Sequence, residues 1–257
     1  MDFQTIVCRK ENNLMIIELI GSEIVGAGIS ELAYELSDVC DSIKSDNSVW
    51  AVSIIGSGEK AFLPGIDKNE GNMKISAGAD GKLWSIVEPI SGLYQPVLVG
   101  INGDAIGPGL EMALTCDIRI ASDASHFCMP HVREGLIPWD GGTQRLSRLV
   151  GRAKAIEMIL TGEIIDAQEA HRIGLVHKVV TNSDLMNVAM NMAREIASKG
   201  PIALRYAKEA IYKGMDLTLE QGLRLEADLY FLLHTAHDRT EGIKAFQEKR
   251  MPHFKGR

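Results

Sequence analysis

The chain is short of three things, and each shortage narrows what it can be. Its four cysteines, Cys8, Cys40, Cys116 and Cys128, show no CxxC spacing and have no histidine pair beside them. A structural zinc site, which needs clustered thiolates or imidazoles, is therefore not expected. Long apolar runs are also missing: no window approaches the roughly eighteen uninterrupted residues of a membrane span. The opening MDFQTIVCRKENN has neither the apolar core of a secretory signal nor the Arg-rich, acid-poor composition of a transit peptide. The expectation is a cytoplasmic protein with reduced thiols. Positive charge is the third shortage. Lys and Arg number 27 against 34 Asp and Glu, a net charge of −7, and a nucleic-acid partner would demand the opposite balance to replace phosphate counterions. The one basic run is the C-terminal KRMPHFKGR.

What is present is an ordinary globular composition, 46% hydrophobic and 24% charged over 257 residues, enough to bury a sizeable core. Short β-rich runs at Thr5–Arg9 and Leu14–Leu19, split by ENN, predict a hairpin. Ser30–Lys44 places Leu32, Leu36, Val39, Cys40 and Ile43 on one helical face, with Ser30 as N-cap. Val49–Ile55 and Val97–Ile101 read as strands buried on both faces. KAFLPGID reads as a turn, and Asn72–Tyr94 as a mixed helical segment broken by SAGADG. GDAIGPG reads as a tight connection into a helix over Leu110–Thr115. Strands follow at Ile118–Ala121 and His126–Met129, then helices at Gly142–Val150, Ala153–Leu160, Ala167–Ile173 and Asn182–Ser198. Asp166 and Asn182 are the expected caps, and GLVHKVV lies between the last two helices as a strand. Three more helices complete the chain. Strands alternating with helices predict an α/β fold, divided into a core over 1–198 and a helical extension over 199–257.

Chemistry-bearing residues gather between Ile101 and Leu146. Gly65 would let the backbone approach a ligand and turn the Ile66 N–H toward a cleft, although Pro64 and Gly65 also suit a plain strand-ending turn. Gly107-Pro108-Gly109 leads into a helix, whose N-terminal N–H groups suit a developing oxyanion. Pro108 has no N–H to give, leaving Gly109 or Leu110 as donors; a proline there is equally a common helix start. Glu111 sits in the first helical turn among apolar neighbours, placed for general acid/base work or simply favoured by the dipole. His131 could be a base held in one tautomer by Asp140, nine residues on. Trp139 would wall an apolar pocket or fill core.

Taken in order, KAFxxGxD, then NGxAxGxGxExAxxCDxRIAS, then GLIPxxGGTQRLxRLVGRAKAxEMxLTGE and the closing EGIKAFQEKRMPxFKGR resemble the crotonase (enoyl-CoA hydratase/isomerase) family along about four-fifths of the chain. The resemblance implies a ββα spiral core, with the C-terminal helices serving as a trimerisation and cap region. It also implies homotrimers or dimers of trimers, and acyl-CoA substrates with no cofactor beyond the CoA they carry. By the same likeness, backbone N–H groups at Ile66 and the Gly107–Gly109 turn hold a thioester enolate, Gly65, Ile66, Asp67 and Lys68 line the pantetheine path, and Phe246 and Lys249 of a neighbouring subunit approach the CoA nucleotide. Glu111 matches the first catalytic glutamate of the hydratases. His131 stands where they carry the second, Pro108 replaces a donor glycine, and the early Arg-Pro and Asn-Ala-Leu motifs are absent. Three functions follow as expectations: hydration, dehydration or double-bond isomerisation of an enoyl-CoA; retro-Claisen cleavage of a β-diketone or β-ketoacyl-CoA by His131/Asp140, which resembles the 6-oxocamphor hydrolase branch; or a non-catalytic CoA-binding scaffold.

Overall fold

The computed structural model describes residues 3–20, 24, 28–58, 61–63 and 85–257. Its frame is two sheets fed by repeated strand-strand-helix units. The larger sheet holds β1 (Ile6–Glu11), β2 (Leu14–Leu19), β3 (Ala51–Gly56), β5 (Val97–Ile101), β7 (Ile118–Ser122) and β10 (Lys178–Val180), in that order. Only the β1–β2 hairpin is antiparallel; β2 to β3, β3 to β5, β5 to β7 and β7 to β10 are parallel. The smaller sheet runs β4 (Ala61–Leu63), β6 (Asp104–Ile106), β8 (His126–Cys128) and β9 (Ile165–Asp166). Three times in succession the chain lays one strand in the large sheet, the next in the small one, and then turns helical.

The large sheet is buried on both faces, as its unbroken apolar strands require. Alternation along β3 sends Val52 and Ile54 to one core and Ala51 and Ile55 to the other. The first core is closed by α1 (Ile29–Ser45) through Leu32, Leu36 and Ile43. The second is closed by α7 (Asn182–Ala197) through Leu185, Ala189 and Ala193. Each large side chain so covered contributes about 1.5–3 kcal/mol. Between these lie α2 (Glu88–Ser91), α3 (Pro108–Thr115), α4 (Gly142–Val150), α5 (Arg152–Thr161) and α6 (Ala167–Arg172). After them come α8 (Pro201–Gly214), α9 (Leu219–Leu233) and α10 (His237–Gln247). Among the described residues no helix is long and apolar enough to cross a membrane.

Several local expectations are corrected. Ser30 lies inside α1, whose N-cap is Gly28 with no side-chain bond. Thr181, not Asn182, caps α7, and its hydroxyl donates to the Asp184 carboxylate. Asp166 does cap α6, accepting from Glu169 N–H. Asp104–Ile106 and Ala61–Leu63 are strands rather than connections; three residues are too few for alternation to be read. The candidate residues Gly65, Ile66, Asp67 and Lys68, and most of the 72–94 segment, lie outside the described residues.

Candidate active site

The small sheet builds the site. β6 and β8 run parallel, pairing Ala105 with Phe127 and Ile106 with Cys128, and the ladder closes where Gly107 N–H donates to Cys128 O at 2.9 Å. That register sets the start of α3 beside the Pro130–Glu134 turn of 3₁₀ helix. Gly107 has φ 54, a backbone state that favours glycine, and a Cβ there would lie 3.6 Å from His131 Cε1. Pro108 follows at the first helical position with its φ preset.

The helix start is therefore sparing with donors. Gly107 has already spent its N–H, Pro108 has none, and Glu111 N–H bonds Gly107 O at 3.0 Å. Helix geometry leaves Gly109 and Leu110 with N–H groups that have no intrahelical acceptor. Among the described residues, Gly109 is the one member of this three-residue turn whose N–H has no acceptor. Gly109 has a packing role as well: a Cβ there would stand 3.1 Å from Leu63 Cβ and 3.3 Å from Leu63 O.

Glu111 is 1% exposed. Its Oε1 accepts from Asp140 N–H and Gly142 N–H, both at 2.9 Å. Among the described residues its Oε2 has no hydrogen-bond partner, and it lies 3.7 Å from His131 Nε2. Burial pushes the Glu111 carboxyl up to about 7, with the Asp140 charge adding to the rise and the two N–H donors opposing it. His131 is equally buried, and among the described residues neither of its ring nitrogens has a hydrogen-bond partner. Burial lowers its pKa, so at neutral pH it is an uncharged imidazole. Buried polar atoms without partners are uncommon, and three of them meet here. The gap is too long for a direct hydrogen bond and too short to hold an atom in line, so a reacting atom would bridge the two from one side.

Asp140 does not hold His131. Its carboxylate accepts from the Ser85 hydroxyl and from Ile86 and Val87 N–H at 3.1 and 3.2 Å. Burial raises its pKa despite these bonds. Its hydrogen bond to Glu111 is made through its backbone N–H. The proposed His131–Asp140 pair is thus replaced by a His131–Glu111 pair, and Asp140 fastens the Asp140–Gly142 turn to residues 85–87. Sequence reading missed Gly142, Ser85 and Arg145. Gly142 admits no side chain: a Cβ would meet Pro138 at 2.8 Å, Glu111 Oε1 at 2.9 Å and Met129 Cε at 3.0 Å. The Gly-Gly after Asp140 was its signal. Arg145 Nη1 donates to Asp140 O at 3.2 Å. Trp139, 38% exposed, adjoins this turn. Phe246 and Lys249 stand exposed at the end of α10. Among the described residues no cluster of His, Cys, Asp or Glu could hold a metal ion.

Residues 9–257 match the family model for enoyl-CoA hydratase/isomerase. A short-chain-enoyl-CoA hydratase of Clostridium acetobutylicum is 37% identical over 97% of both chains. A crotonyl-CoA hydratase of Syntrophomonas wolfei is 36% identical over 99% of both. The crystal structure of an enoyl-CoA hydratase from Bacillus anthracis superposes with a TM-score of 0.90 at 37% identity, covering 99% of this chain and 100% of that one.

Proposed function

Because the chain belongs to the enoyl-CoA hydratase/isomerase family and processes acyl-CoA thioesters, we propose that it adds water reversibly across the α,β double bond of an enoyl-CoA, with Glu111 as the proton-transfer group. The observation that carries this is the division of the Glu111 carboxylate. One oxygen is locked by two backbone donors, and the other is free, buried and turned toward a neutral imidazole. In the hydration direction a water bridging Glu111 and His131 from the substrate side attacks Cβ, and Glu111 Oε2 takes its proton. The π electrons move to the thioester oxygen, where Gly109 and Leu110 N–H and the positive end of α3 stabilise the enolate. The enolate collapses, and the proton held by Glu111 passes to Cα. One water thus supplies both the hydroxyl and the new C–H. His131 keeps the water oriented through a ring nitrogen. No cofactor enters beyond the CoA of the substrate.

The same single carboxylate beside a neutral imidazole also suits a 1,3-proton shift, so double-bond isomerisation is the second reading. Retro-Claisen hydrolysis loses its support, because it needs His131 seated on Asp140. The decisive experiment is turnover of a trans-2-enoyl-CoA series, followed by loss of the conjugated thioester absorbance, with Glu111→Gln as control. Turnover by the wild type but not by the variant supports the reading; equal rates for the two would sink it.

The enzyme is further proposed to work as a homotrimer or dimer of trimers in the cytoplasm, where thiols such as Cys40 and Cys116 stay reduced. Support for assembly comes from α8, α9 and the turn joining them, which expose Ile211 at 66%, Met215 at 68%, Leu219 at 80% and Phe231 at 69%. Apolar faces of this extent are what interfaces cover. A cleft of about 670 Å³ beside Tyr94, Leu114, Arg145, Ile211 and Met215 opens on the same face and contains none of Glu111, His131 or Asp140. Phe246 and Lys249 are assigned to the CoA nucleotide of a neighbouring subunit.

A further inference from the structure

The end of α10 makes a choice that helix energetics disfavours. Arg250 N–H donates to Ala245 O at 3.0 Å and Lys249 N–H to Phe246 O at 3.2 Å, the paired bonds of a Schellman motif. The residue just past the helix in that motif must be left-handed, and glycine usually fills it. Here it is Lys249, with φ 54. Among the described residues the only other non-glycine with positive φ is Asn12, in the β1–β2 turn, a type that tolerates it. Such strain persists only where the surroundings over-determine the backbone, and it gathers at ligand clamps.

The surroundings here are two acids near the start of α10. Asp238 is 4% exposed and accepts Lys255 N–H and Gly256 N–H, one on each oxygen, at 2.7 Å. Its own N–H donates to Arg257 O at 3.2 Å. Glu241 accepts both terminal nitrogens of Arg250, at 2.6 and 3.0 Å, and His253 N–H at 2.8 Å. Residues 250–257 are thus folded back along α10 as a strap. The Phe254 ring of the strap packs on the helix, where a Cβ on Gly242 would lie 3.6 Å from it, and on the body, where a Cβ on Gly200 would lie 3.7 Å away. Lys249 is the pivot between helix and strap.

We propose that Asp238 and Glu241 are positioning residues: the strap they tie holds Lys249 left-handed, at a cost in stability, so that its ammonium meets the phosphates of the CoA nucleotide. This rests on the assignment of Lys249 to that nucleotide, and it explains why a lysine stands where a glycine would be more stable.

The test compares an enoyl-CoA with the matching enoyl-pantetheine, which lacks the nucleotide, on the full-length assembled enzyme. Asp238→Asn removes one of the two carboxylate acceptors, and Glu241→Gln, a second variant should the first fail to fold, breaks the Arg250 pair. Each is expected to raise KM for the CoA thioester about tenfold, the loss of roughly one charge-assisted contact. Both are expected to leave kcat, and KM for the pantetheine thioester, unchanged. Lys249→Gly should raise KM for the CoA thioester similarly while raising Tm by about 2 °C. A strap variant that alters both substrates alike, or neither, overturns the positioning role, as does a fall in Tm for Lys249→Gly. If Lys249→Ala leaves KM for the CoA thioester unchanged, the nucleotide assignment itself is wrong and the proposal falls with it; that outcome is distinct from one in which Lys249→Ala is impaired and the strap variants are not.

Discussion

Glu111→Gln should make the protein more stable and nearly inactive at once, and the size of the stability gain follows from the site. The Glu111 carboxyl is raised from 4.5 to about 7 by burial, and each tenfold change in proton affinity is worth about 1.4 kcal/mol, so holding it ionised costs about 3 kcal/mol. The sign is set by where the proton sits. Below 4.5 the carboxyl is neutral in the folded and unfolded chain, and no penalty exists. Between 4.5 and about 7 the unfolded chain ionises while the folded one keeps its proton, so stability falls with rising pH. Above about 7 the deficit is constant. Glutamine keeps an oxygen for the Asp140 and Gly142 donors and carries no charge. Urea unfolding at pH 8 should therefore show the variant more stable by about 3 kcal/mol, a gain that fades to near zero by pH 4.5. Activity should drop by about 10²–10⁴, the usual worth of a general acid–base group. A variant less stable than wild type at pH 8, or a gain independent of pH, would refute the claim that Glu111 is a strained, high-pKa carboxylate.

Other consequences follow from the same geometry. The pH profile of kcat/KM for hydration should rise through an apparent pKa near 7 as Glu111 loses its proton, because the base works only when ionised; stopped-time assays across pH 5–9 read this, and a flat profile contradicts it. His131→Leu should remove two unpartnered buried nitrogens and so cost little stability while lowering kcat at least about tenfold, measured by unfolding and turnover together. Gly142→Ala should push Glu111, Pro138 or Met129 aside, lowering Tm through about 1–3 kcal/mol of overpacking and cutting kcat at least about tenfold.

Much of the large sheet was legible because its strands advertise themselves. VLVGI is apolar throughout and bounded by Pro96 and Asn102, so β5 was placed to the residue, and the Gly141-Gly142 pair ahead of TQRLSRLV marked the start of α4. Of the small sheet, β8 was placed by the run His126–Met129, whereas β4 and β6, three residues each, are too short to show a period and were read as connections. That gap explains the error at the site. Glu111 and His131 are twenty residues apart, and their meeting depends on the β6–β8 register, whereas Asp140 is near His131 in sequence but its carboxylate faces Ser85. Glu111 itself was visible as an acid in an apolar first turn. The left-handed Lys249 was not, because a lysine in that position breaks the glycine rule by which helix ends are read.

The most direct test of the proton-transfer role of Glu111 is hydration of an enoyl-CoA in deuterium oxide, read by NMR of the product. The account predicts a 3-hydroxyacyl-CoA carrying one deuterium at Cα from the wild type, and neither hydration nor Cα exchange from Glu111→Gln. Hydration with full Cα deuteration by Glu111→Gln at the wild-type rate would contradict it, and the proton would have to be carried by another group.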